Sequence, residues 1–341
     1  MSLLFSPLKI GSLELKNRIM MSPMGTVSAG DDGKAADWHL LHYGARALGQ
    51  VGLIMLEVTA VAEAGRGKGS LGLWSDEQIP ALRRLVDALH AQGSKVGIQL
   101  WHAGRKSDFA DKTVSASGLP HRGAPSRELS SGEIEGIVRD FGEAAARAAR
   151  AGVDAIELHA AHGYLLNDFL SIHTNRREDR YGGSVEGRYR MLQETIDAVR
   201  SRWPGALFVR VSADEYGETG NRIGDTIEYA KRMKLQGVDL IDASSGGIHP
   251  EPPPSIHPGY QVPYADAIRR EAGLPTAAVG LITTGPQAEK ILRAGSADLI
   301  AIGRPLLRSP FWAREAAEQL GEHLEEPAPY AGFWFDRERR A

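Results

Sequence analysis

A chain of 341 residues suits one large barrel or two ordinary domains. Its 42% apolar and 24% charged residues exclude wholesale disorder, and 40 basic against 43 acidic side chains, a formal net charge of −3, give no general attraction for nucleic acid or anionic lipid. With no cysteine, disulfides, iron–sulfur clusters, thiolate zinc sites and cysteine nucleophiles are all excluded.

In chain order, residues 1–18 carry no basic stretch leading into a long apolar run, so no secretory signal is read and a cytoplasmic protein is expected. Residues 8–15, LKI-GS-LEL, read as a hairpin with a tight Gly-Ser turn, placed ahead of the first strand where it could plug a barrel floor. Eight strand-like runs come next, at 18–22, 51–61, 95–101, 154–160, 207–213, 238–244, 275–280 and 298–303. They are continuously apolar rather than alternating, as strands buried on both faces of a parallel sheet are. The longest apolar run, 51–56, stops at Glu57, far short of a membrane span. Helix-period segments lie between the strands at 79–91, 133–151, 189–202, 225–236, 263–271, 286–294 and 310–320. The second has the capping-box spacing Ser130 to Glu133 before it and Gly152 as its stop. This repetition predicts an α/β fold, a (β/α)8 TIM barrel forming a single domain over 1–341, with the hairpin in about 1–16 and a C-terminal tail over about 322–341. Tyr330, Phe333 and Trp334 suggest that the tail docks on a surface. An open doubly wound sheet with an accessory domain ranks second, because no Gly-rich dinucleotide fingerprint follows the first strand.

In such barrels chemistry sits where strands end. His159-Ala-Ala-His162-Gly-Tyr164 stands at the fourth strand's exit, where two imidazoles and a phenol can aim donors at one oxygen. A metal reading needs a third ligand; His102 and Asp214 are the candidates, without the spacing of a zinc or iron triad. Gln99 and Arg210 lie inside strands three and five. A buried arginine there requires an anion or a polarised carbonyl, or else an internal pair with Glu57 or Glu157. Gly280-Leu281 after strand seven and Gly303-Arg304 after strand eight occupy the usual phosphate cradle of this architecture. Together these features suit a phosphorylated cofactor across the barrel mouth, and a flavin mononucleotide beside Arg210 fits.

The motifs LKNRIMMSPM from Leu15, GSKVGIQLWHAGRK from Gly93, AGVDAIELHAAHGYLLNDFLS from Ala151, FVRVSADEY from Phe208 and ADLIAIGRPLLRSPFWA from Ala297 extend over nearly the whole chain. In this order they resemble the old yellow enzyme family of FMN-dependent ene reductases, in particular its bacterial thermophilic-like branch of NADPH dehydrogenases. The resemblance implies FMN contacts from Ser22, Pro23, Met24, Gly25, Val58, Gln99, Arg210, Gly280, Leu281, Gly303 and Arg304. It implies substrate contacts from His159, His162, Tyr164, Val27 and Trp101, with His159 and His162 holding a carbonyl or nitro oxygen and Tyr164 as proton donor. It further implies NADPH or NADH as reductant, flavin N5 as the hydride donor to an enone or nitroalkene, no metal, and a homodimer or homotetramer in which the tail enters a neighbour's site. An oxidative flavoenzyme of the same family, a metal-dependent hydrolase using both histidines, and a passive flavin carrier are the alternatives. Some positions depart from the relatives: Gly25 replaces a cysteine and Val27 a tyrosine. Gly187 stands where the relatives carry asparagine, and Arg308 where they carry an interface arginine.

Overall fold

The computed structural model describes residues 2–249 and 253–334. Its barrel strands are β1 (Ile19–Met21), β2 (Leu53–Ala60), β3 (Lys95–Trp101), β4 (Ala155–Ala160), β5 (Ala206–Ser212), β6 (Leu240–Ser244), β7 (Thr276–Ala278) and β8 (Leu299–Ile302). Each pairs in parallel with the next, and β1 pairs with both β2 and β8, which closes the sheet. The helices around it are α1 (Asp37–Leu48), α2 (Ile79–His90), α3 (Ser131–Ala151), α4 (Val185–Arg200), α5 (Ile223–Leu235), α6 (Val262–Ala272), α7 (Gly285–Arg293) and α8 (Trp312–Leu320). The (β/α)8 barrel expected from the sequence is the fold. Among the described residues, no helix is long and apolar enough to cross a membrane.

The local signals behave as their chemistry requires. Ser130 Oγ accepts the Glu133 N–H while Glu133 accepts the Ser130 N–H at 2.9 Å, and Gly152 ends α3 at φ +88°, a conformation that penalises any Cβ. Helix α4 begins four residues before its apolar period, because Ser184 Oγ accepts the Gly187 N–H at 3.1 Å. A Cβ on Gly187 would lie 1.9 Å from Gly182 O, so this turn has no room for any side chain there. Helix α1 is absent from the sequence expectation. It lacks a Ser, Thr, Asp or Asn cap; His39 Nδ1 instead accepts the Ala36 N–H at 3.0 Å.

Successive strand residues face opposite sides, so Phe208, Arg210 and Ser212 share the inner face of β5, as Leu240, Asp242 and Ser244 do on β6. The inner face is apolar near the strand N-termini. Met20, Leu53, Met55, Phe208, Leu240 and Leu299 form one buried cluster there with Ile10, Leu13 and Leu15 of the antiparallel hairpin Leu8–Ile10 and Leu13–Leu15. The hairpin is therefore the barrel's plug. Above this layer the inner face turns polar, with Gln99, Glu157, Arg210 and Asp242. In strand β2 the pairing with β3 slips between Leu56 and Val58, so Glu57 is a bulge residue. In the tail, Trp334 is buried against Phe311 of its own chain, with Arg314 donating to its carbonyl at 2.9 Å, whereas Phe333 is 81% exposed. The predicted tail's last residues, 335–341, lie outside the described residues.

Phe208 fills the plugged layer with no exposed surface. Phe208→Ala should cost about 3–5 kcal/mol of unfolding free energy, from lost burial and a rigid cavity. A urea midpoint within error of the parent's would contradict this packing of the core.

Candidate active site

The strand C-termini surround a cavity of about 350 Å³. Pro23, Gly25, Val27, Val58, Gln99, Trp101, His159, His162, Tyr164 and Arg210, all expected from the sequence, line it together. A second cavity of about 150 Å³ is lined by Gly280, Leu281, Gly303 and Arg304. Ser22 and Met24 line neither, but they flank the second: a Cβ on Gly303 would meet Met24 Sδ at 3.5 Å and Ser22 Cβ at 4.0 Å. Sequence reasoning did not single out Lys68, Ser70 or Asp108 at the first cavity, nor Tyr260, Gln261 or Thr283 at the second. These sit on irregular loops where no period marks them.

Strand register assembles the polar layer. Gln99 is opposite Glu157, His159 opposite Arg210, and Arg210 opposite Asp242. Gln99 Nε2 donates to Glu157 Oε1 at 2.8 Å, and Arg210 Nε lies 3.3 Å from Asp242 Oδ2. The arginine's ion-pair partner is thus Asp242, rather than the Glu57 or Glu157 considered from sequence. Glu57 is engaged elsewhere: the bulge turns its carboxylate to Thr26, which donates through both N–H and Oγ1 at 2.8 Å, and to the Tyr43 hydroxyl at 3.2 Å. One guanidinium therefore faces two buried carboxylates. Burial, and then the Asp242 charge, push Glu157 up to about 8, with Arg210 opposing; Asp242 is also raised by burial.

Above this layer, four rings meet edge to face in a row. The His159 ring centroid is 5.2 Å from that of His162 and 4.9 Å from that of Tyr164, and Tyr164 is 4.6 Å from Trp101. His162 sits at φ +60°, a costly conformation for a residue with a Cβ. Its N–H donates to Ser212 Oγ at 2.9 Å and its carbonyl accepts Lys106 Nζ at 2.5 Å, so both flanking strand exits hold the turn. Burial holds both imidazoles well below the usual histidine range, with His162, Arg210 and Lys106 adding for His159 and the last two for His162. Both are neutral at pH 7, each with one N–H to donate. Burial, then Asp108, raises Tyr164, which keeps its proton. Burial brings Lys106 down to about 8. The arrangement can bind an oxygen that becomes negative and supply a proton beside it.

At the rim, Val27 is 64% exposed at φ +53°, a strained state for a β-branched residue. Leu281 at φ +51° and Gly280 at φ +116° make the turn at the second cavity. His102 Nδ1 accepts the Gly104 N–H, and Asp214 accepts from Tyr216 and Arg222. Among the described residues, no group of three or more His, Asp or Glu is placed to hold a metal ion.

Residues 3–323 match the NADH:flavin oxidoreductase / NADH oxidase family. The chain is 53% identical over 338 residues to an NADPH dehydrogenase of Listeria monocytogenes, covering 98% of this chain and 100% of that protein. It is 50% identical over 337 residues to one from Geobacillus thermodenitrificans, covering 98% and 99%. Morphinone reductase superposes with a TM-score of 0.80 at 30% identity, over 96% of this chain and 92% of that one. An old yellow enzyme homologue from Zymomonas mobilis does so at 0.79 and 26% identity, over 98% and 96%.

The crowded acids make a pH prediction. Glu157's folded value lies above its ordinary 4.5, so its contribution to stability is whole below about 4.5 and is lost as pH rises through about 8. In flavin-free protein, the stability of Glu157→Gln relative to the parent should therefore improve across that window. A difference that stays constant with pH would contradict the shared-cation arrangement.

Proposed function

The chain belongs to the NADH:flavin oxidoreductase / NADH oxidase family and is an NAD(P)H-dependent oxidoreductase working with FMN, and we propose that it reduces the C=C bond of α,β-unsaturated carbonyl or nitro compounds. The observation that carries this reading is the neutral His159–His162 pair adjoining a protonated Tyr164 at the rim of a cavity with Arg210 in its wall.

The residues present fit the flavin. Glu157 Oε2 and Ser22 Oγ are buried without hydrogen-bond partners, and Arg210, ion-paired through Nε with Asp242, stands in the cavity wall. A Cβ on Gly25 would meet only Val58, at 3.9 Å, so the space over Gly25 in the first cavity is open. Pro23, Gly25, Val58, Gln99 and Arg210 would hold the ring system. Ser22, Met24, Gly280, Leu281, Gly303 and Arg304 would hold the rest, with the second cavity taking the phosphate. FMN bound there supplies hydride transfer, from the nicotinamide and then to the substrate's β-carbon.

The side chains do the remainder. His159 and His162 donate to the substrate's carbonyl or nitro oxygen and gain strength as negative charge develops on it. Tyr164 passes its phenolic proton to the α-carbon, with Trp101 packed edge-on to keep the ring in place. Val27 and Trp101 form the apolar wall of the substrate space. With Val27 instead of the relatives' tyrosine, the substrate has one polar anchor fewer there. Trp38 and Leu41, exposed three residues apart on α1, support self-association into a homodimer or homotetramer.

The test is anaerobic: the FMN-loaded protein is reduced with NADPH or NADH, then mixed with a cyclic enone or a nitroalkene. Return of the yellow colour with formation of the saturated product is expected. Reduction by nicotinamide without reoxidation by any activated alkene would overturn the reading. Tyr164→Phe should slow the alkene step by about 10²–10⁴ and leave the nicotinamide step unchanged, as loss of a positioned proton donor does.

A further inference from the structure

His162 is held through its ring as well as its backbone. Its Nε2 lies 2.8 Å from Ser244 Oγ, and Ser244 Oγ accepts from Gln261 Nε2 at 2.9 Å. Ser244 and Gln261 are both buried, so solvent does not compete for these contacts. Gln261 also lines the second cavity, and a Cβ on Gly280 would lie 3.1 Å from its side chain. The amide thus spans from the loop after β7 to the strand end that carries Ser244.

The sense of this chain has a chemical consequence. A hydroxyl owns one proton. The oxygen has a second lone pair, but His162 Nε2 is the acceptor within reach of the Ser244 proton; with the Gln261 amide donating to Ser244 Oγ, every proton of the chain finds a partner when Ser244 donates and Nε2 is the bare nitrogen. A neutral imidazole has one N–H, so Nδ1 carries it. In the opposite tautomer Nδ1 would present a lone pair, which repels a developing oxyanion instead of stabilising it. Ser212 and Lys106 fix where the ring stands, but neither touches a ring nitrogen, and neither decides which one bears the proton.

We propose that Gln261 and Ser244 are positioning residues that hold His162 in its Nδ1–H tautomer, and so make it a donor to the substrate oxygen. The inference rests on the oxyanion role given to His162 above. It assigns to two residues outside the His–His–Tyr constellation a part in setting that role.

The experiment uses the full-length FMN-loaded protein with ¹⁵N-labelled histidine. The His162 ring nitrogens are read by NMR, and para-nitrophenolate is titrated as an oxyanion probe through its effect on the flavin absorption. The parent should show protonated Nδ1 and bare Nε2. Ser244→Ala should give mixed tautomers and lower phenolate affinity about two- to tenfold, in step with the fraction of Nδ1–H that remains, and Ser244→Thr, which keeps a hydroxyl, should recover most of it. Gln261→Glu replaces the amide donor with an acceptor that takes the Ser244 proton, so the ring should flip to Nε2–H. Should the Ser244 variants fail to retain FMN, the parent spectrum and Gln261→Glu still decide. Protonated Nε2 in the parent, or an unmoved tautomer and phenolate affinity in Gln261→Glu, overturns the relay. A parent with protonated Nδ1 that binds no phenolate would overturn the oxyanion reading and leave the relay standing.

Discussion

One guanidinium set against two carboxylates inside the barrel is the constraint on which the site depends. Arg210, Glu157 and Asp242 all stand on inner-face positions of neighbouring strands, in a layer that solvent scarcely reaches. Removing an ion from water costs several kcal/mol even after relaxation, so such a layer persists only when its charges answer one another. Here the count is uneven. Glu157 is driven toward its protonated form, and Arg210, paired with Asp242 through Nε, stands in the cavity wall.

The rest of the site is stacked on that layer by the period of two. Two residues beyond Glu157 is His159, and two beyond Asp242 is Ser244. The apolar layer below, closed by the N-terminal hairpin, keeps water from entering from the floor. Where β4 ends the backbone leaves its regular path, into the left-handed turn at His162, and three side chains from other strand exits (Lys106, Ser212 and Ser244) restrain that residue. Strain at one residue, held from several sides, is how a fold places a side chain where regular geometry would not.

Much of this was legible in the sequence because it arises from local pattern. Continuous apolar runs fall on the eight strands within a few residues, Ser130–Glu133 and Gly152 bound α3, and the Gly-Ser turn marks the hairpin. Sequence-predicted residues meet in two cavities because strand ends meet in any such barrel. What was not legible depends on register or on unusual chemistry. Arg210 finds Asp242 because of how β5 aligns with β6, which no single strand reveals. Glu57 turns away from the arginine through a one-residue bulge, and α1 escapes notice because its cap position is Ala36, which has no side-chain acceptor. Gln261 lies in a loop without period, and only the folded chain brings it to Ser244.

The measurement that bears most directly on the central claim is the affinity and midpoint potential of FMN in Arg210→Ala beside the parent. If the guanidinium faces the flavin, the variant should bind FMN more weakly, and its bound flavin should be harder to reduce, because the charge that favours added electrons is gone. Unchanged affinity together with an unchanged potential would mean that Arg210 serves only its two carboxylates, and would contradict the place given to the flavin beside it.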